Sequence, residues 1–226
     1  MIYITIIVLI IVLFPTYIHS EKNNINGVYM IKYNDHYSNK STITWGMNGD
    51  KIFSVNVKLS LACSTYDCKN TTSYTCEDSM YQYDWNKLWG KARCGYYNSH
   101  HDDSDRFVFR KCSDNSCNAY NGENRIQVGA YSYDNGIAPY TGERPDLMKT
   151  FTNTILPDQI YKLTLTMNDD GLSTFDLSDI NDNLIETQYI NHENICIKNY
   201  YEGIVDGLYF GGTCRAPIDI IVTYYS

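Results

Sequence analysis

Arg106-Phe107-Val108-Phe109-Arg110 and, further along, Gln127-Val128-Gly129-Ala130-Tyr131-Ser132-Tyr133 are the segments on which the reading of this chain turns. Side chains of a β-strand alternate between its two faces. Read as strands, the first segment places Arg106 and Arg110 on one face and Phe107 and Phe109 on the other. The second sets Gln127, Tyr131 and Tyr133 opposite Val128 and Ala130. If the strands pair with these faces aligned, two guanidiniums, an amide and two phenols line one surface.

Alternation continues outward from this pair. Phe53, Val55, Val57, Leu59 and Leu61 share a face of one predicted strand. Tyr161–Met167, Leu172–Leu177, Leu184–Tyr189 and Ile218–Tyr225 also read as strands. Asn121-Gly122, Asp134-Asn135-Gly136, Asn168-Asp169-Asp170-Gly171 and Asn181-Asp182-Asn183 supply turn chemistry between them. No amphipathic helix of ten or more residues stands out. Many short strands separated by turns predict an all-β fold, a β-sandwich or jelly roll, in a single domain over residues 21–226.

Residues 2–14 form a continuous apolar run followed by Pro15 and the polar Glu21-Lys22-Asn23-Asn24. A membrane span needs about 20 apolar residues. A secretory signal peptide over residues 1–20, cut after Ser20, is the expectation, although no Lys or Arg precedes the run. The mature chain is then extracellular, with no membrane association, and is expected to be a monomer. All eight cysteines lie beyond this leader: Cys63, Cys68, Cys76, Cys94, Cys112, Cys117, Cys196 and Cys214. An even number in a secreted chain predicts disulfides, and no C-x2-C spacing suggests zinc. Cys196 and Cys214 stand apart from the rest and are expected to pair, while the connectivity of the other six stays open. Asn39 and Asn70 head glycosylation sequons.

A formal charge of −8 argues against nucleic acid, whose phosphates need a basic surface. It leaves room for an acidic polysaccharide, because a local cationic face can sit on an acidic protein. The 22 tyrosines fit either strand propensity or a sugar-stacking surface.

Five features in this order resemble the concanavalin A-like jelly-roll polysaccharide lyases, the alginate- and glucuronan-lyase-like secreted proteins. They are Lys87-Leu88-Trp89-Gly90, the arginine pair Arg106 and Arg110, Tyr131-Ser132-Tyr133, the hairpin turn after Met167, and Tyr209-Phe210-Gly211-Gly212 with Ala216-Pro217. The resemblance covers roughly residues 50–226. It departs from the group's pattern at Lys91-Ala92-Arg93-Cys94-Gly95 and in the acidic loop Asn98–Asp105. What it implies is a disulfide-stabilised concanavalin A-like β-sandwich that removes the C5 proton of a uronate and expels the group at C4.

That chemistry needs a cation to neutralise the carboxylate, a base, and an acid for the leaving oxygen. Arg106 and Arg110 suit the first task, with Gln127 sharing it. Tyr131 or Tyr133 suits the base or acid role if nearby cations depress its pKa. Lys87, His100 and His101 are reserves. Trp89, like Trp85, flanks Lys87 and has the shape to stack on sugar, with packing within the loop an equal alternative. The competing reading of the arginines is a solvated strand face salt-bridged to Asp102, Asp103 or Asp105. His100-His101-Asp102-Asp103 does not make a convincing metal site, since adjacent histidines cannot easily aim both rings at one ion. No cofactor is expected, and a Ca²⁺ ion has no support. Two rivals use the same scaffold without catalysis: a lectin-like carbohydrate-binding protein and a secreted protein-interaction module.

Overall fold

A computed structural model describes residues 26–40, 52–68, 84–92, 101–112, 117, 123–193, 202–204, 208–212 and 214–225. The leader, Asn70, Cys76, Cys94, Cys196 and His100 lie outside the described residues. Among those described, the chain is all-β apart from single turns of helix. The strands are β1 (Gly27–Ile31), β2 (Ile52–Leu59), β3 (Asn86–Ala92), β4 (Asp103–Lys111), β5 (Ile126–Asp134) and β6 (Met148–Thr150). They continue as β7 (Ile160–Met167), β8 (Leu172–Asp179), β9 (Leu184–Asn191), β10 (Glu202–Ile204) and β11 (Ile220–Tyr225). One antiparallel sheet runs β1-β11-β2-β7-β8-β9, and the other β10-β3-β4-β5-β6.

The two sheets close on one core because each supplies a run of alternate apolar residues. Val55, Val57 and Leu59 of β2, Leu163, Leu165 and Met167 of β7, and Phe175 and Leu177 of β8 face inward from the first sheet. Phe107 and Phe109 of β4 and Val128 and Ala130 of β5 meet them from the second. Phe107 stands edge-on to Phe175 across the gap at 5.3 Å between ring centroids, a favoured aromatic geometry. Where alternation runs out, so does the strand. β2 stops at Leu59, and Leu61 is exposed at the start of the four-residue helix α1 (Ala62–Thr65) rather than continuing the apolar face.

The register of β4 on β5 is the one that aligns the two polar faces. Arg106 lies opposite Tyr131, Arg110 opposite Gln127, and Phe109 opposite Val128. A register shift between Lys87 and Trp89 breaks the simple parity of β3. Lys87 pairs with Val108 on the polar side, whereas Trp89 pairs with Phe107 on the core side. Trp89 is therefore a core residue, 4% exposed and stacked on Phe107, and not the sugar platform expected from its spacing. An extra residue in one strand flips every later side chain to the other face.

Gly90 lets β3 lie flush on β4. A methyl there would press into the Asp105 carbonyl and the Arg106 backbone. Gly90→Ala is expected to lower stability by roughly 1–3 kcal/mol, the usual cost of overpacking. The readout is the urea midpoint, and an unchanged midpoint would mean that the strands separate at no cost.

The cysteines are only partly as expected. Cys112 and Cys117 form a disulfide, and Cys214 is disulfide-bonded. Cys63 and Cys68 are buried thiols. Cys63 points from α1 toward the core, its Sγ 3.7 Å from the Ile221 carbonyl. Burial pushes the two thiols up to about 12 and about 11, so both act as small apolar fillers. No helix among the described residues is long and apolar enough to cross a membrane. Asn39 is exposed, with its side-chain oxygen accepting from the Met30 N–H.

Candidate functional site

The outward face of β3, β4 and β5 forms the floor of a cleft of about 670 Å³. Lys87, Arg106, Tyr131 and Tyr133 supply the floor. Asp84, Trp85, His101 and Gly212 form the walls, and Tyr37, Tyr140 and Tyr209 the rim. Tyr37 and Tyr140 are 66% and 78% exposed, so their ring faces are open to a ligand. Tyr37 packs edge-on against Tyr209 at 5.1 Å.

The walls are held by backbone contacts distant in sequence. Tyr209 exchanges both of its main-chain hydrogen bonds with Lys87, at 2.8 and 3.0 Å. Gly211 N–H donates to the Asn86 side-chain oxygen at 2.8 Å. A side chain on Gly211 would collide with the Trp85 carbonyl, and Gly212 has a φ of 70°. The Phe-Gly-Gly run is thus the strap that presses Asp84 and Trp85 against the mouth of the cleft.

Cations and rings interleave across the floor. Lys87 Nζ sits 3.6 Å from the centre of the Tyr131 ring. The Arg106 guanidinium lies 5.3 Å from the Tyr133 ring, and that of Arg110 lies 4.2 Å from the Trp85 ring. Arg110 Nε also donates to Gln127 Oε1 at 2.8 Å. Arg110 and Gln127 therefore stand on the same face beside the cleft, with Arg110 against Trp85, while Arg106 lines it. Asp103 and Asp105 belong to the opposite face of β4 by parity, so the strand does not present its arginines alongside them on a common solvated surface.

Burial governs the protonation of the floor. The Tyr131 hydroxyl is raised far above the ordinary phenol range, first by burial and then by its neighbour Tyr133. Tyr133 is also raised, mainly by burial, with Arg106 opposing. The direction is opposite to the one a cation-activated phenolate needs, so both phenols keep their protons at neutral pH and act as donors. Lys87 moves the other way. Burial and the Arg106 charge lower its ammonium to about 7, with Asp84 opposing. Burial in turn raises Asp84, against the pull of Lys87 and Arg110. The cleft thus holds an amine whose ammonium is lowered to about 7, a permanent cation, and two phenolic donors.

Of the residues singled out in the sequence, Lys87, Arg106, Tyr131, Tyr133 and His101 meet in the cleft, and Trp85 joins them. Trp89 lies behind it in the core. Tyr37, Asp84, Tyr140, Tyr209 and Gly212 complete the cleft; Tyr209 and Gly212 belong to the Tyr209-Phe210-Gly211-Gly212 stretch, while no local pattern in the sequence marks Tyr37, Asp84 or Tyr140. No protein-family model matches the chain, and no curated protein matches it significantly.

Proposed function

We propose that this chain is a secreted, concanavalin A-like jelly-roll protein that binds an acidic, uronate-containing polysaccharide and cleaves it by β-elimination. The observation that carries the reading is Lys87. Its amine, lowered to about 7 by burial and the Arg106 charge, sits over the Tyr131 ring at the floor of an aromatic-rimmed cleft.

Arg106 neutralises the uronate carboxylate and makes the C5 proton more acidic. The neutral Lys87 amine takes that proton. The C4–O bond breaks as the C4–C5 double bond forms, and the leaving oxygen takes the proton of Tyr131 or Tyr133. Exposed Tyr37 and Tyr140 stack on flanking sugar rings. The disulfides, the leader and the Asn39 and Asn70 sequons fit an extracellular life in which the core thiols stay buried.

The test is ultraviolet absorbance on incubating the oxidised protein with alginate, glucuronan and other uronate polymers. Unsaturated ends absorb, so a rise is expected. Arg106→Ala is expected to reduce its rate about 30-fold, the worth of roughly 2 kcal/mol for one charge-assisted contact. No rise with any polymer, from protein shown to be folded, overturns the lyase reading. Glycan binding without product would then identify a lectin, and binding of neither would point to a protein partner.

A further inference from the structure

Behind the cleft, on the inner face of the same strands, lies a buried polar cluster that the proposed reaction does not use. His192, just after β9, is 2% exposed, and Asp103, Asp105 and Asp134 are 3%, 0% and 0% exposed. The Asp105 carboxylate accepts from Ser132 Oγ at 2.5 Å and from Ser173 Oγ at 2.6 Å. His192 Nε2 lies 2.8 Å from the same carboxylate. With Asp105 ionised, this contact takes its proton from Nε2, because a carboxylate can only accept.

The other ring nitrogen, Nδ1, faces Asp103 Oδ1 at 3.0 Å and Asp134 Oδ1 at 3.9 Å. The imidazole nitrogen and the two carboxylates offer one ligand atom each, all within 4.8 Å of one another. Two ligands about 2.0–2.1 Å from a tetrahedral ion stand roughly 3.3 Å apart, a value that the two observed separations bracket.

We propose that His192 Nδ1, Asp103 and Asp134 bind a divalent first-row transition ion, with zinc the first to test. The donor set selects it, because an imidazole suits Zn²⁺ while Ca²⁺ and Mg²⁺ favour oxygen. The surroundings are those of a built site. Asp105 holds the histidine by its distal N–H, the carboxylate–histidine–metal relay that fixes ring orientation and raises ligand basicity. Arg144 Nη1 holds the second Asp134 oxygen at 2.8 Å, and the Glu193 N–H donates to that oxygen at 2.8 Å. Asp103 and Asp134 pair across β4 and β5, and His192 arrives from the other sheet. An ion there ties β4 and β5 to the end of β9 in the other sheet.

The test uses the oxidised full chain. Zinc is added in excess and removed by desalting, and retained metal is counted by mass spectrometry, with the thermal midpoint recorded before and after a chelator. One zinc per chain, a midpoint that falls on chelation, and loss of retained zinc in Asp103→Asn are the expected results. Nitrogen NMR of the imidazole separates the rival arrangement. A metal-bound Nδ1 supports the site. A doubly protonated His192 with no retained zinc and no shift in midpoint overturns it and leaves an imidazolium–carboxylate network. The zinc and NMR arms use unmutated protein, so they decide the matter even if the variant fails to fold.

Discussion

Lys87→Met is expected to abolish cleavage of a uronate polymer, by roughly two to four orders of magnitude, and at the same time to raise the thermal midpoint at neutral pH. The first effect is the usual worth of a positioned general base. The second follows from the cost of burying a charge. The unfolded chain protonates this lysine below its ordinary value near 10.5, whereas the folded chain does so only below about 7. Between those values the unfolded state holds the extra proton, so stability rises with pH across that window. Below about 7 the penalty is present in full. Methionine has similar length and no charge, so its advantage is greatest at pH 7 and below and fades toward pH 10.

The wild-type rate, in contrast, should climb with pH through about 7 as the amine loses its proton. Lys87→Arg separates charge from basicity: it keeps the cation, cannot become neutral, and is expected to be as inactive as the methionine variant. Ultraviolet rate assays and thermal melts at matched pH values measure both effects. A Lys87→Met variant that retains its rate within threefold would remove Lys87 from the proposed chemistry. A wild-type rate that stays flat through pH 6–8 would do the same.

The parity of Arg106, Arg110, Tyr131 and Tyr133 is legible in the sequence because every residue of β4 pairs in register with β5. Nothing between Phe107 and Phe109 or between Val128 and Ala130 disturbs period two. Trp89 escapes such reading for the opposite reason. A register shift leaves no mark in Lys87-Leu88-Trp89-Gly90, and a single shift moves the tryptophan from cleft to core. Tyr37 and Tyr209 reach the rim through isolated bridges to each other and to Lys87, pairings between segments that share no local pattern. Protonation is harder still. Arginines near a phenol suggest a depressed pKa, but how deeply Tyr131 is buried depends on Ala138 and Met148 packing beside it. His192 sits in an undistinguished Asn191-His192-Glu193, and only the closure of one sheet on the other brings it to Asp103 and Asp105.

Asp105→Ala is expected to be the most destabilising substitution considered for this cluster, at about 3–5 kcal/mol, out of a total that for a domain is about 5–15 kcal/mol. The magnitude comes from what the carboxylate collects. Ser132 on β5, Ser173 on β8 and His192 beyond β9 all direct a donor at it, in a site closed to water. Deleting it strands three buried donors at once and removes the anion that holds the imidazole in place. Asp105→Asn should cost less, because the amide oxygen still accepts from a hydroxyl, but its N–H₂ faces donors and cannot replace the second oxygen. Asp102, exposed just before β4, is the control, and its alanine variant should lie within about 0.5 kcal/mol of wild type. Urea titration gives all three, with the midpoint falling and the slope unchanged if the native state keeps its compactness. A loss under about 1 kcal/mol for Asp105→Ala would mean that the surrounding donors find other acceptors. The sandwich would then be held by its apolar core. A loss of the expected size would make this carboxylate, contributed by the same strand that carries Arg106 into the cleft, the polar link between the two sheets.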